Sequence, residues 1–317
     1  MTETAMNRYR YLRGLLALWV VLGHCYMYLD QQIWLLEQIH ELNLLCVGVF
    51  FFQSGYGLNA ALHKREDYLK GFLLKKPLRL LLIALVSSIV NAVIIHLLGR
   101  GYDDALELIT CVLEFINWYV WVQLVFYFLF FIMAKVIRKE RLRLLVLTLI
   151  VLLMMELLRH TDLGFAYYTA GLAFPAGMFI FIYRDKVETL LQKKKIPFLF
   201  GVIVVCVLCY IAKSIQLHRH PVNVYGKNVM CAASSILGMI LLTWIPLKGK
   251  FLEYLSEISL EIYLYQFVAI NAVSKFLWNH GIQKGWNFVF ITLIVTVILS
   301  VVFSSLRHFV ERPRRKE

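Results

Sequence analysis

The chain has 317 residues, 60% of them hydrophobic and 15% aromatic, with a mean hydropathy of +0.69 and a formal net charge of +13. Soluble domains stay near about 45–50% apolar, so this composition excludes an ordinary soluble enzyme. The charge does not point to nucleic acid either: the basic residues cluster between apolar runs, where they set orientation in a bilayer.

Only helices and closed barrels satisfy the backbone in lipid. The apolar runs are about 20 residues long and do not alternate, which argues against a barrel. The expected fold is an all-α integral membrane protein of about ten transmembrane helices. In order, the expected spans are Leu12–Leu29, Leu44–Leu62, Leu78–Leu98, Leu106–Ala134 and Leu144–Leu158, then Tyr167–Tyr183, Phe198–Ala212, Val229–Ile245, Ile258–Leu277 and Phe288–Leu306. With the N-terminus in the cytosol, only Arg100, Arg159, Lys213, Arg219, Lys227, Lys275 and Lys284 of the 33 Lys and Arg fall outside. That asymmetry predicts cytosolic termini at both ends. Residues 1–317 read as a single transmembrane domain without a separate soluble one, and the first span as retained rather than cleaved. His63–Pro77 and Lys213–Asn228 suit surface or re-entrant segments. No internal repeat of the kind many secondary transporters carry is visible.

Along the chain, the first candidates lie in RYRYLRGLLALWVVLGHC, Arg8–Cys25. Arg13 and His24 are separated by ten residues. On a helix this brings them to within about 20° of one face, roughly 16 Å apart along the axis. An ionisable group inside a span is costly and faces a polar interior. A buried imidazole could take the proton of an acceptor hydroxyl, whereas its plainer role is a packing hydrogen bond. Arg13 could hold the phosphates of a donor or simply anchor the helix at the inner surface.

The second span contains VGVFFFQSGYGL, Val47–Leu58, in which Gln53 and Ser54 are polar and Gly48, Gly55 and Gly57 small. Either a helix break lines a cavity there or small residues permit close packing. In LKKPLRLL, Pro77 suits a helix start, and Lys75, Lys76 and Arg79 could bind phosphates or meet anionic lipid. In WYVWVQLVFY, Trp118, Gln123 and Tyr127 could offer inward hydrogen bonds, although Trp118 and Trp121 also suit interfacial anchoring. Glu156 and Arg159 form a local i,i+3 pair. In SLEIYLYQ, Glu261 and Gln266 interrupt an apolar span. Cys206 and Cys209 form a C-x-x-C in an apolar run and read as packing, and His218-Arg219-His220, with no third ligand in view, as a solvated loop rather than a metal site.

These segments together resemble acyltransferase family 3, the integral-membrane acyltransferases of envelope sugars and lipids. RGLLALWVVLGH carries the family's Arg-x10-His at Arg13 and His24. GVFFFQSGYGL is similar to its Phe-Phe-x-x-Ser-Gly-Tyr/Phe through Phe51, Phe52, Ser54, Gly55 and Tyr56, with only Gln53 between Phe52 and Ser54. FLLKKPLRLL resembles the basic start of its third helix. WYVWVQLVFY matches its Trp-x-Leu-x-x-Glu-x-x-Phe-Tyr at Trp118, Phe126 and Tyr127. FPAGMFIF, SLEIYLYQ and FVERP resemble its Phe-x-x-Gly-Met, Ser-Leu-x-x-Tyr-Leu-x-His and terminal Glu-Arg-Pro. Gln123 stands where a Glu is common, and Gln266 where a His is common.

The resemblance implies transfer of an acyl group from cytosolic acyl-CoA, often acetyl-CoA, to a hydroxyl of an envelope carbohydrate or lipid-linked glycan. It implies no metal and a multi-pass protein of the plasma or inner membrane. His24 and Arg13 are then the functional pair, with Arg13, Lys76 and Arg79 on the donor. Ser54, Tyr56, Trp118, Gln123, Tyr127 and Gln266 are expected around the substrates. The hydrolase-like domain fused to some members is not expected here. The rival reading is a transporter or flippase for an acyl compound or organic anion, which keeps the polar spans but needs no base.

Overall fold

The computed structural model describes residues 2–99, 104–215 and 219–311, and among these every regular element is helical. The helices are α1 (Thr2–Tyr26), α2 (Trp34–Glu41), α3 (Asn43–Lys64), α4 (Arg79–Leu97), α5 (Ala105–Glu114), α6 (Trp118–Val136) and α7 (Glu140–Leu158). They continue as α8 (Ala173–Ile182), α9 (Arg184–Ile215), α10 (Pro221–Leu241), α11 (Lys250–Glu257), α12 (Ser259–Asn279) and α13 (Trp286–Glu311). Two compact units are each assembled from separated stretches of chain.

The first unit comprises Met1–Tyr9, Leu44–Leu81 and Trp118–Leu247. Its α3 and α8 cross backbone against backbone. A Cβ on Gly55 would lie 2.0 Å from the carbonyl oxygen of Phe174, and one on Gly177 would lie 1.9 Å from that of Phe52. Glycine is required at both positions because nothing larger fits between the main chains. Beside the crossing, Phe126 stacks on Phe174 at 4.7 Å and meets Phe51 edge-on at 5.1 Å. The first turns of α1 are fixed to α10. The Tyr9 hydroxyl donates to the Ser235 carbonyl at 2.6 Å, and Arg8 donates to the Leu242 carbonyl at 2.7 Å, closing the C-terminal end of that helix.

Membrane depth does not tolerate orphan backbone groups, and the first unit shows how one is avoided. Between the short 3-10 turn Phe165–Tyr168 and α8 the chain is not helical. Asn228 of α10 covers the gap: its Oδ1 accepts from the Leu172 N–H at 3.2 Å and its Nδ2 donates to the Tyr168 carbonyl at 2.7 Å. Non-helical backbone at that depth requires protein partners of this kind. Farther on, α9 leaves helical geometry at Lys194, three residues before Pro197. The proline removes a hydrogen bond and crowds the carbonyl one turn back.

The second unit comprises Arg10–Asn43, Leu82–Asn117 and Lys248–Glu317. Its α12 and α13 pack along each other; Tyr265 stacks on Phe303 at 4.2 Å. Thr292, Thr296, Ser300 and Ser304 are all buried on α13. They recur every four residues, a small-residue stripe that lets a neighbour approach closely. Glu261 and Arg307 join the start of α12 to the end of α13 through a 2.5 Å ion pair, with Glu261 only 1% exposed. Gly14 admits Leu255 of α11, whose side chain would lie 2.4 Å from an added Cβ.

Among the described residues, seven stretches are long and apolar enough to cross a membrane: Trp34–Lys64, Leu74–Leu97, Trp118–Val136, Phe165–Ile182, Arg184–Ala212, Pro221–Leu241 and Trp286–Phe309. The other three expected spans lie on α1, α7 and α12. These are helices of 25, 19 and 21 residues with more polar content. Two expected boundaries are corrected. Leu106–Ala134 is not one helix: α5 and α6 are separated at 115–117. Its 29 residues exceed what a bilayer needs, and Asp104 caps a separate short α5 through the Glu107 N–H at 2.7 Å. Tyr167–Tyr183 is likewise interrupted, at the point where Asn228 intervenes. The basic tail Arg312–Lys316, Arg100 and His218 lie outside the described residues.

Candidate functional site

The second unit holds the expected pair, Arg13 and His24. Helix α1 runs unbroken through Arg13 and His24, so the two positions are about 16 Å apart along the axis and near one face. Both residues are half-buried.

His24 is oriented by α12. Its Nδ1 lies 2.9 Å from Oε1 of Gln266, and Gln266 Nε2 donates to the Tyr263 carbonyl at 2.8 Å. That second bond fixes the amide, because only its nitrogen can donate to a carbonyl. The amide oxygen therefore faces the ring, and an amide oxygen only accepts. Nδ1 must carry the proton, which leaves the lone pair on Nε2. The turn is anchored again where the Tyr263 hydroxyl donates to Asn117 Oδ1 at 2.8 Å. Phe267 packs on the imidazole with ring centroids 5.0 Å apart. Chemically this is a histidine whose tautomer the amide selects, with the lone pair on Nε2.

The sequence drew attention to Gln266 as a departure from the family's histidine. The geometry gives the amide a role of its own, that of holding the ring. A second histidine was missed. His40 of α2 donates from Nδ1 to the Gly23 carbonyl at 2.9 Å, and its ring lies 5.5 Å from that of Tyr26. No helical period links positions 24 and 40; the chain reversal before α2 does.

The remaining expected residues belong to the first unit. Ser54 is half-buried and Tyr56 buried, with its ring 5.4 Å from Phe181. Helix α3 is continuous through both, so the cavity-lining break is not present. Gly48 and Gly55 serve close packing, whereas Gly57 has nothing within 4 Å. Trp118 lies 6.3 Å from Phe51 and 6.4 Å from Tyr167, between ring centroids. Tyr127 meets Phe72 at 6.1 Å. Gln123 is 1% exposed, and neither amide atom has a hydrogen-bond partner among the described residues.

Lys76 and Arg79 are exposed. Lys76 belongs to a single turn of π-helix, Leu74–Leu78, which leads directly into α4 at Arg79. Pro77 therefore sits inside a widened turn rather than at a helix start, a correction that follows from its missing N–H. Not every cation of the inner set is a donor candidate. Arg143 is buried and donates to Asn59 Oδ1 at 3.2 Å. Glu156 and Arg159 form the expected local pair, which the Tyr225 hydroxyl joins at 2.9 Å. His220 caps α10 by accepting from the Val222 N–H.

A family model described as an acyltransferase domain matches residues 6–305, nearly the whole chain. No curated protein and no solved structure compared with the chain matches it. With a match of that length, and with seven helical stretches among the described residues apolar enough to cross a membrane, the chain belongs to acyltransferase family 3.

Proposed function

We propose that this protein transfers an acyl group, in the first instance acetyl, from cytosolic acyl-CoA to a hydroxyl of an envelope carbohydrate or lipid-linked glycan, with His24 as general base. The observation that carries the reading is the His24–Gln266–Tyr263 chain, which holds an imidazole in one tautomer with Nε2 unengaged by Gln266. In the proposed reaction the acceptor oxygen attacks the thioester carbonyl while its proton passes to Nε2 of His24. The tetrahedral intermediate collapses with cleavage of the C–S bond, and the imidazolium returns the proton to the departing thiolate. The products are an O-acyl ester and CoA, and the histidine is regenerated.

Arg13, on the His24 face of α1, is proposed to meet the donor's phosphates. In the first unit, Lys76 and Arg79 are a second set of cations suited to the same groups, and Ser54, Tyr56, Trp118, Gln123 and Tyr127 are proposed substrate contacts. The topology proposed is ten spans in the cell membrane with both termini cytosolic, supported by the positions of Lys and Arg. The test is purified protein in liposomes with radiolabelled acetyl-CoA, longer acyl donors and a panel of envelope glycans. Label on a glycan together with released CoA is the expected result. Intact thioesters accompanied by solute flux would replace the enzyme with a transporter.

A further inference from the structure

In the second unit a shallow cleft of about 310 Å³ is lined by Asn271, Ser274, Lys275, Trp278 and Lys284. The first four project from the last turns of α12, at the end that the proposed topology places outside. The cleft is held in shape by contacts beneath and beside it. Asn271 Nδ2 donates to Oδ1 of the buried Asn91 on α4 at 3.2 Å. The Lys284 N–H donates to Asp30 Oδ2 at 2.8 Å, the Asp30 N–H donates to the Lys284 carbonyl at 3.1 Å, and the Lys284 ammonium lies 3.2 Å from Asp30 Oδ1. Gly281, at φ +65, makes the turn that brings Lys284 back to this rim.

Lys284 is thus charge-compensated. Lys275 forms no ion pair with a carboxylate among the described residues. Beside it Trp278 is 73% exposed. An interfacial anchor needs only the indole; this indole lines the cleft together with an amide, a hydroxyl and an ammonium that no described carboxylate pairs. Those groups match a sugar ring bearing an acid. The apolar ring face covers the indole, the hydroxyls meet the amide and the serine, and the acid meets the ammonium.

We infer that the cleft binds an acidic sugar unit of the acceptor glycan. The inference rests on the acyltransferase reading above and names the substrate class for it. Ser274 lies eight residues beyond Gln266, about 12 Å along α12 and about 80° around it. The hydroxyl presented to His24 therefore belongs to a neighbouring sugar rather than to the one held in the cleft.

The test measures binding without any donor, using the full chain in nanodiscs. One probe is a tetrasaccharide alternating glucuronate and N-acetylglucosamine; the other is the neutral N-acetylglucosamine tetramer. The acidic probe should bind about tenfold tighter. Lys275→Gln should abolish that preference, Trp278→Ala should weaken both probes about tenfold, and Trp34→Ala, an exposed indole elsewhere, should change neither. Absence of binding, or equal affinities for wild type, Lys275→Gln and Trp278→Ala, would overturn the inference. Acyl transfer with an unchanged acceptor KM in Trp278→Ala would discard the cleft and leave the enzyme standing. Sugar binding as expected without thioester consumption would keep the cleft and discard the enzyme.

Discussion

Replacing Gln266 by Leu removes the amide that holds His24 and leaves Arg13, Lys76 and Arg79 intact. The position is fully buried, and Leu keeps most of its volume, so the packing of α12 is largely preserved. The Tyr263 carbonyl loses one donor, but as a mid-helix carbonyl it also accepts within the helix. What changes is the imidazole, whose Nδ1–H loses its acceptor 2.9 Å away. Such a bond contributes about 0.5–1.5 kcal/mol net. Near its upper end that is about a tenfold loss of the productive tautomer. Loss of orientation adds to this, and removal of supporting groups of this kind costs about 10–100-fold. We predict that Gln266→Leu lowers kcat by about 10–100-fold while the acyl-CoA KM stays unchanged, measured as CoA release in liposomes beside a thermal melt. A folded variant with kcat within about twofold of wild type would refute the orienting role.

Gly177→Ala would force a Cβ to 1.9 Å from the Phe52 carbonyl, so α3 and α8 must separate. A loss of about 1–3 kcal/mol or more is expected in detergent unfolding, whereas Gly57→Ala, with open space around it, should be neutral or slightly stabilising. Asn228→Leu would orphan the Leu172 N–H and the Tyr168 carbonyl, at about 1–3 kcal/mol each in the same assay. Asp30 lies outside the spans, and its carboxyl is held below the ordinary aspartate range by the Lys284 backbone N–H first and its ammonium second. A lowered carboxylate pKa stabilises the loop above the ordinary aspartate value and loses that effect as pH falls through the folded one. Exchange of the Lys284 amide should therefore accelerate only under acid conditions, relative to other turn amides; a loop equally protected there would contradict this.

Hydropathy pointed to the seven most apolar stretches because a span must be apolar along its length wherever its partners are. The interruptions were hidden for the converse reason. The gap before α8 is closed by Asn228, 56 residues away from Leu172, and no local pattern announces such a partner. Gly55 and Gly57 look alike in the sequence, yet one touches a facing backbone and the other touches nothing. Arg8 read as a topology signal but also closes α10. His24 and Gln266 were each visible as polar intrusions in apolar runs, since lipid makes such residues costly. Their pairing across 242 residues, and the tautomer it selects, required the fold.

The central claim is that His24 removes the acceptor's proton. The most direct measurement compares wild type and His24→Ala, both reconstituted and shown to melt cooperatively, for transfer of radiolabel from acetyl-CoA to a glycan acceptor. The account predicts at least about a hundredfold loss of transfer in the variant, the range of a general base, with acetyl-CoA still bound. Near-normal transfer by folded His24→Ala would contradict it.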